Sequence, residues 1–283
     1  AYNGQGFGVL DIFKDGSSWI SFYGNEENKP KLLYQRQIFD TPVPFEFKDY
    51  PDSFPQTMTT SIYKEEDTEK SPAYNTVWGK RYRELYGTEI TLPVADLDTL
   101  YGGLTVEREA GGHQTVSLRV KDSIGRVYNI RRVRKDALRF LQNVAFKNQP
   151  VENKLENTVA EDLMTDFYTA AHPYGFLVVP RLSQAADVYH TNPKIFYMPK
   201  QEALGKYNSV HGDDIYMIVE RPEEIWLGYE YFGSPDHDIV GTDGMLERLR
   251  RDEKYILDEE AYVRARIFDM LIGDWDRHQN QWR

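Results

Sequence analysis

The chain has 283 residues, 40% hydrophobic and 14% aromatic, which is enough apolar material for one large domain or two smaller ones. Its formal net charge of -11 argues against a nucleic-acid partner, since binding a phosphate backbone needs a concentrated positive face. With no cysteine, disulfides and thiolate chemistry are excluded, and no run approaches the roughly 18 apolar residues of a membrane-spanning helix.

In chain order, Asn3-Gly4-Gln5-Gly6-Phe7-Gly8-Val9 imitates a nucleotide-binding glycine loop. Strand residues follow it where a dinucleotide loop needs a helix, so a glycine-rich strand end is the better reading. The start is strand-like, and any targeting segment is expected upstream or already removed. Residues 7 to 39 read as antiparallel strands with an Asp15-Gly16 hairpin turn, and strands this short are expected to complete a larger sheet. Residues 40 to 75 carry Pro42, Pro44, Pro51, Pro55, Pro72 and the acidic run Glu65-Glu66-Asp67, the pattern of a linker wrapped over a surface.

A short helix is predicted at about Thr76 to Leu85. Strands follow at Leu104 to Glu109, Thr115 to Lys121 and Val127 to Val133, joined by turns at Gly111-Gly112 and Ser123 to Gly125. Helices are predicted at Lys135 to Phe146 and at Asn157 to Ala171, the second with Val159, Leu163, Phe167 and Ala170 on its apolar face. Phe176 to Pro180 is a buried strand at most, and two further strands are expected at Lys194 to Met198 and Asp214 to Glu220. Helices at Thr242 to Glu253 and Asp258 to Leu271 close the chain. A β-rich half followed by a helical half predicts an α+β, two-lobed domain.

The candidate chemistry gathers in three places. Arg126, Arg131, Arg132, Arg134 and Lys135 fall within ten residues, a positive strip suited to an anionic small ligand such as a nucleotide phosphate. The bland alternative is a solvated strand edge. Arg131 or Lys135 would contact phosphates, with Gly111 and Gly112, beside His113, laying backbone N–H groups over them or making a plain turn. An acid of the next helix would fix that cation: Asp162, Asp166 or Glu161.

Asp214 to Glu220, stopped by Arg221-Pro222, is a candidate hinge whose backbone meets a base at Glu220, or else any buried strand leaving a sheet. Asp236-His237-Asp238 looks like a metal cluster but has no spaced partner set. Finally, Leu271-Ile272-Gly273-Asp274-Trp275-Asp276-Arg277-His278 carries an apolar helix into a dense polar loop ending in amides. Asp276 can orient the proton of an attacking hydroxyl, His278 stands beside it, and Gln281 can hold a metal. Asp274, Asp276 and His278 alternate and could chelate a metal directly instead.

The Asp276-Arg277-His278 loop resembles the catalytic loop of atypical kinases: the HipA-type kinases, the spore-coat and secretory-pathway kinases, and the phosphoinositide lipid kinases. The resemblance implies a β-rich N-lobe and hinge over 76–220, the start of a helical C-lobe over 221–283, and ATP with Mg²⁺ as cofactors. It also implies a further metal-binding Asp on a strand downstream of the loop. Gln281 departs from the Asn or acid of that pattern. The order of glycine hairpin, basic strand, acidic helix and hinge-like strand agrees with that superfamily over roughly residues 76 to 283. A closer likeness is to a middle region of large Gram-negative envelope proteins. There it follows a calcineurin-like metallophosphoesterase domain and precedes an outer-membrane barrel of the surface-antigen class. On that likeness residues 1–39 are the last strands of the phosphoesterase, 40–75 is the linker, and the setting is the cell envelope. The likeness also implies partner domains of the envelope or outer membrane. A non-catalytic connector between such domains is the alternative to phosphotransfer, with hydrolase activity then lying in the upstream domain.

Overall fold

The computed structural model describes residues 6–12, 17–26, 29–39, 50–110, 116–135, 137 and 158–283. These fall into two units, one holding 6–39 and the other 50–283. The architecture is α+β with antiparallel sheets.

In the first unit, β1 (Gly6–Ile12), β2 (Ser17–Glu26) and β3 (Lys29–Phe39) form a three-stranded meander. The described pairing of β1 with β2 ends at Ile12↔Ser18, and the predicted Asp15-Gly16 turn lies outside the described residues, as does Asn3 to Gln5. These strands pair with no other described strand. Phe7, Leu10 and Leu32 stay exposed on it.

The second unit begins inside the stretch expected to be a linker. Residues 50–75 instead contain β4 (Thr57–Thr60), α1 (Glu65–Thr68) and the start of α2 (Pro72–Trp78). The prolines there initiate structure: Pro72 sits at the first turn of α2, where a missing N–H costs nothing, behind Ser71 as the N-cap. The single helix predicted over 76–85 is two, α2 and α3 (Arg83–Gly87), because Gly79 takes φ 79° and closes the first. β5 (Ile90–Pro93) then pairs with β4.

The main sheet has the order β6-β7-β8-β10-β9, built from β6 (Leu104–Ala110), β7 (Ser117–Asp122), β8 (Val127–Arg132), β9 (Lys194–Met198) and β10 (Asp214–Glu220). Helix α4 (Val159–Tyr168) lies in the segment between β8 and β9. Strict alternation along the strands sorts the side chains onto two faces. Leu118, Val120, Tyr128, Ile130, Tyr216 and Ile218 pack on one face with Leu97, Leu204 and Trp226 as the principal core. The opposite face, at its Ile195 and Ile215 end, carries a second core of Ile62, Tyr63, Tyr86 and Leu92.

At the β7–β8 turn the buried Asp122 carboxylate accepts from the Ile124 and Arg126 N–H groups at 3.1 and 2.8 Å and from Arg126 Nε at 2.7 Å. Asp122→Ala leaves those donors unpaired and is expected to cost about 1–3 kcal/mol, read as a lower midpoint in urea.

Two expectations fail in the helical part. Phe176 to Pro180 is not a strand but a 3-10 turn (Gly175–Leu177) leading into α5 (Val179–Ala185), with Pro180 in the first turn. In α4, Leu163 and Phe167 are exposed, and the helix buries Asp166 and Tyr168 instead. The apolar stripe lost to an ion pair described below. Helices α6 (Thr242–Arg251) and α7 (Glu259–Ile272) lie close to their predicted limits, α7 starting at Asp258, which caps the Ala261 N–H at 2.9 Å. Val263, Ile267, Met270 and Leu271 leave one face of α7 exposed. Among the described residues no helix is long and apolar enough to cross a membrane.

Candidate functional site

The polar loop after α7 owes its shape to one buried acid. Gly273 ends the helix in the left-handed conformation (φ 75°), and the Asp274 N–H turns back onto the Asp269 carbonyl at 2.9 Å. Asp269, buried on α7, receives Arg266 at 2.8 Å and Arg277 at 3.4 Å, and Arg277 also holds Asp274 at 2.9 Å. Burial, the largest influence, pushes the Asp269 carboxyl up, and the two guanidiniums oppose it. Trp282 lies 5.7 Å from the Arg266 guanidinium and 5.6 Å from that of Arg277, pinning the chain end to the same network.

Arg277 is therefore the structural pin of the loop, and Asp274 is taken up by it rather than left for a metal. Asp276, His278 and Gln281 remain exposed. Among the described residues no group of three or more His, Asp or Glu side chains could hold a metal ion. Asp236 and His237 are exposed, and Asp238 is paired with Arg248.

Asp276 acts across space on Lys135. Burial lowers the Lys135 pKa, and the Asp276 carboxylate is the charge that works against that lowering. Lys135 itself lies over the Tyr168 ring at 5.3 Å, and its carbonyl faces the Tyr63 hydroxyl at 3.4 Å. It lies three residues past the end of β8 and is half-buried, whereas Asp276 is exposed.

Arg131 lies on the face opposite the principal core, because Arg131 pairs with Met217 while Ile130 pairs with Ile218. It is exposed, yet burial in surrounding protein lowers its pKa, with Arg221 adding to the effect. Arg132 and Arg134 are neutralised by Asp214, at 3.6 and 3.4 Å, and Arg126 by Asp122. Of the basic strip, Arg131 and Lys135 are left for a ligand.

The acid expected to fix the strand cation does something else. Asp166 pairs with Arg83 at 2.5 Å and accepts from the Tyr74 hydroxyl at 2.8 Å, both partners reaching it from the α2–α3 segment. The side chains of Glu161 and Asp162 lie outside the described residues, as do Gly111, Gly112 and His113. Glu220 points to the core side of the sheet, since it pairs with Tyr128, and its carboxylate accepts from the Asn192 N–H at 2.8 Å. Burial pushes that carboxyl up. The expected ligand contact at Glu220 would have to come from backbone beyond it, not from its side chain.

Asp269 was missed in sequence reading, though an acid inside Phe268-Asp269-Met270-Leu271 is a signal that a buried partner exists. The arrangement as a whole offers two cations, Arg131 and Lys135, the second under the influence of the Asp276 carboxylate in the loop after α7. Compared with known proteins, the chain matches no family model, no curated protein and no solved structure.

Proposed function

We propose that residues 50–283 form a kinase-like phosphotransfer region that uses ATP and Mg²⁺ and works within a larger protein of the bacterial envelope. The observation that carries this reading is the electrostatic pairing of Asp276 with Lys135, a loop carboxylate set against the cation that follows the third sheet strand. The sequence of elements also supports it: a hairpin, a basic strand, a helical segment, then a strand pair whose second member returns beside the basic strand. That is the order which the resemblance of the Asp276-Arg277-His278 loop to atypical kinases implies.

In this reading Lys135 and Arg131 balance phosphate charge, and Asp276 accepts the proton of the attacking hydroxyl. Arg277 acts through Asp276: bound to Asp269 and Asp274, it holds the loop so that the carboxylate faces the cleft. The exposed Gln281 would supply a metal-side oxygen to Mg²⁺, which takes few protein ligands and completes its shell with phosphates and water. Mg-ATP supplies the transferable phosphoryl group and the neutralising charge.

Calorimetry with ATP tests the proposal. Heat that requires Mg²⁺ is expected, with affinity weakened about tenfold or more in Lys135→Met, which removes a charge-assisted contact without adding one. Absence of any metal-dependent heat in the folded protein would favour the second reading, a non-catalytic docking module between envelope domains, with any phosphoesterase activity residing outside these residues. The exposed apolar face of α7, Val263 through Leu271, is the observation on its side.

A further inference from the structure

Beyond Arg131, the same sheet face carries more positive charge than a nucleotide triphosphate needs. A bulge in β6 sets Arg108 opposite Arg119, both on the face away from the principal core. Arg119 pairs with Asn129, Asn129 with Val219, and Arg131 with Met217, so Arg119 and Arg131 lie diagonally across neighbouring strands. Arg221 continues the Met217 and Val219 side of β10, its N–H bonding to the Val127 carbonyl at 2.9 Å.

Arg283 joins the group through Arg221, whose charge acts on it as that of Glu223 does in the opposite sense, and its guanidinium also lies against Gly241. The one ion pair these five arginines make among the described residues is Arg221 with Glu223, at 2.6 Å. Glu107 is 3.8 Å from Lys121. Arg119 Nε is shielded from solvent without a hydrogen-bond partner.

In a chain of net charge -11, a sheet face that concentrates guanidiniums and leaves most of them without acids is shaped for an anion. The electrostatics agree with like-charge crowding: burial lowers the guanidinium pKa of Arg119, Arg131 and Arg283 alike and Arg221 lowers each one further, while Glu223 opposes the shift at Arg119 and Arg283 and Glu107 opposes it at Arg119. Arg131 belongs to this sheet face and stands four residues before Lys135 in the chain.

We propose that Arg119, Arg221 and Arg283, with Arg108 at the edge, form a second anion subsite beside the Lys135–Asp276 pair, taking a small molecule that already bears phosphate. As acceptor of the transferred group, that molecule would be a phosphorylated hydroxyl compound. The acceptor role rests on the phosphotransfer reading, whereas the anion subsite itself does not. Forked guanidiniums suit the phosphate dianion because each presents two parallel N–H donors to its oxygens.

The test is calorimetric titration of inorganic pyrophosphate, without nucleotide, into the protein and its variants at low and moderate salt. Binding is expected in the unaltered protein, weaker as salt screens it, and weaker by about tenfold or more in R119Q/R221Q. Should the double variant fail to fold, the exposed R283Q carries the same test with a loss of several-fold. No pyrophosphate binding, or equal affinity in these variants, overturns the subsite even if Mg-ATP binds. Conversely, pyrophosphate binding that is lost in R119Q/R221Q with no Mg-ATP heat leaves the subsite and removes the phosphotransfer reading.

Discussion

Asp276→Asn is expected to lower ATP turnover by roughly 10²–10⁴-fold, the range a positioned general base supplies, because an amide cannot accept the hydroxyl proton. The readout is ADP release in a coupled assay, with water as acceptor. Asp276 is exposed and makes no ion pair that the fold needs, so the melting temperature should stay within about 1 °C of the unaltered protein. A second measurement reads the geometry directly. The Asp276 carboxylate favours the charged form of Lys135 against burial, so removing its charge leaves burial unopposed. The Lys135 ammonium, followed by NMR of its side-chain carbon, should then lose its proton at lower pH in Asp276→Asn. Unchanged turnover together with an unchanged Lys135 titration would leave Asp276 as a solvated loop acid.

The other large effect is on stability. Asp166 and Arg83 are both almost completely buried, and Arg83 also donates to the Gly79 carbonyl at 2.5 Å, to Asn75 Oδ1 at 3.1 Å and to the Lys80 carbonyl at 3.1 Å. Asp166→Ala strands that guanidinium without its counter-charge and should destabilise the second unit by about 3–5 kcal/mol, a drop in melting temperature on the order of 10 °C. Burial alone would raise the Asp166 pKa, but hydrogen bonds from Arg83 and Tyr74 outweigh it and hold the carboxyl below its ordinary value.

A depressed folded pKa means that the stabilisation is present above the unfolded value, about 4, and is lost as pH falls through the folded value. The stability gap between the unaltered protein and Asp166→Asn should therefore be full at neutral pH and shrink below about pH 4. A gap that is constant from pH 7 to pH 3 would mean that the pair contributes no net charge stabilisation.

Several elements were legible in the chain because they depend on neighbours a few residues apart. Leu118-Arg119-Val120 and Tyr128-Asn129-Ile130-Arg131 alternate with period two, and both are strands with the apolar members buried. Asp258 before α7 and Gly273 after it are local start and stop signals, and the helix obeys them. The apolar stripe of α4 misled for a definable reason: the Asp166–Arg83 pair, 83 positions apart, turned that helix so that Leu163 and Phe167 face water. The prolines of 50–75 misled because proline starts a helix as readily as it breaks one, and only the flanking structure decides which.

Sequence by itself determined the α+β composition, the limits of the closing helices and the Asp276 loop, since capping, alternation and an apolar-to-polar switch all act within about one helical turn or one strand. Tertiary structure alone decided which charges remain for chemistry. Arg132, Arg134 and Arg126 meet acids, while Arg131 and Arg119 share one face of the sheet across β8 and β7, with Arg221 continuing that side past the end of β10. Strand register sets those distances, and register is fixed by long-range pairing that no window of neighbouring residues contains.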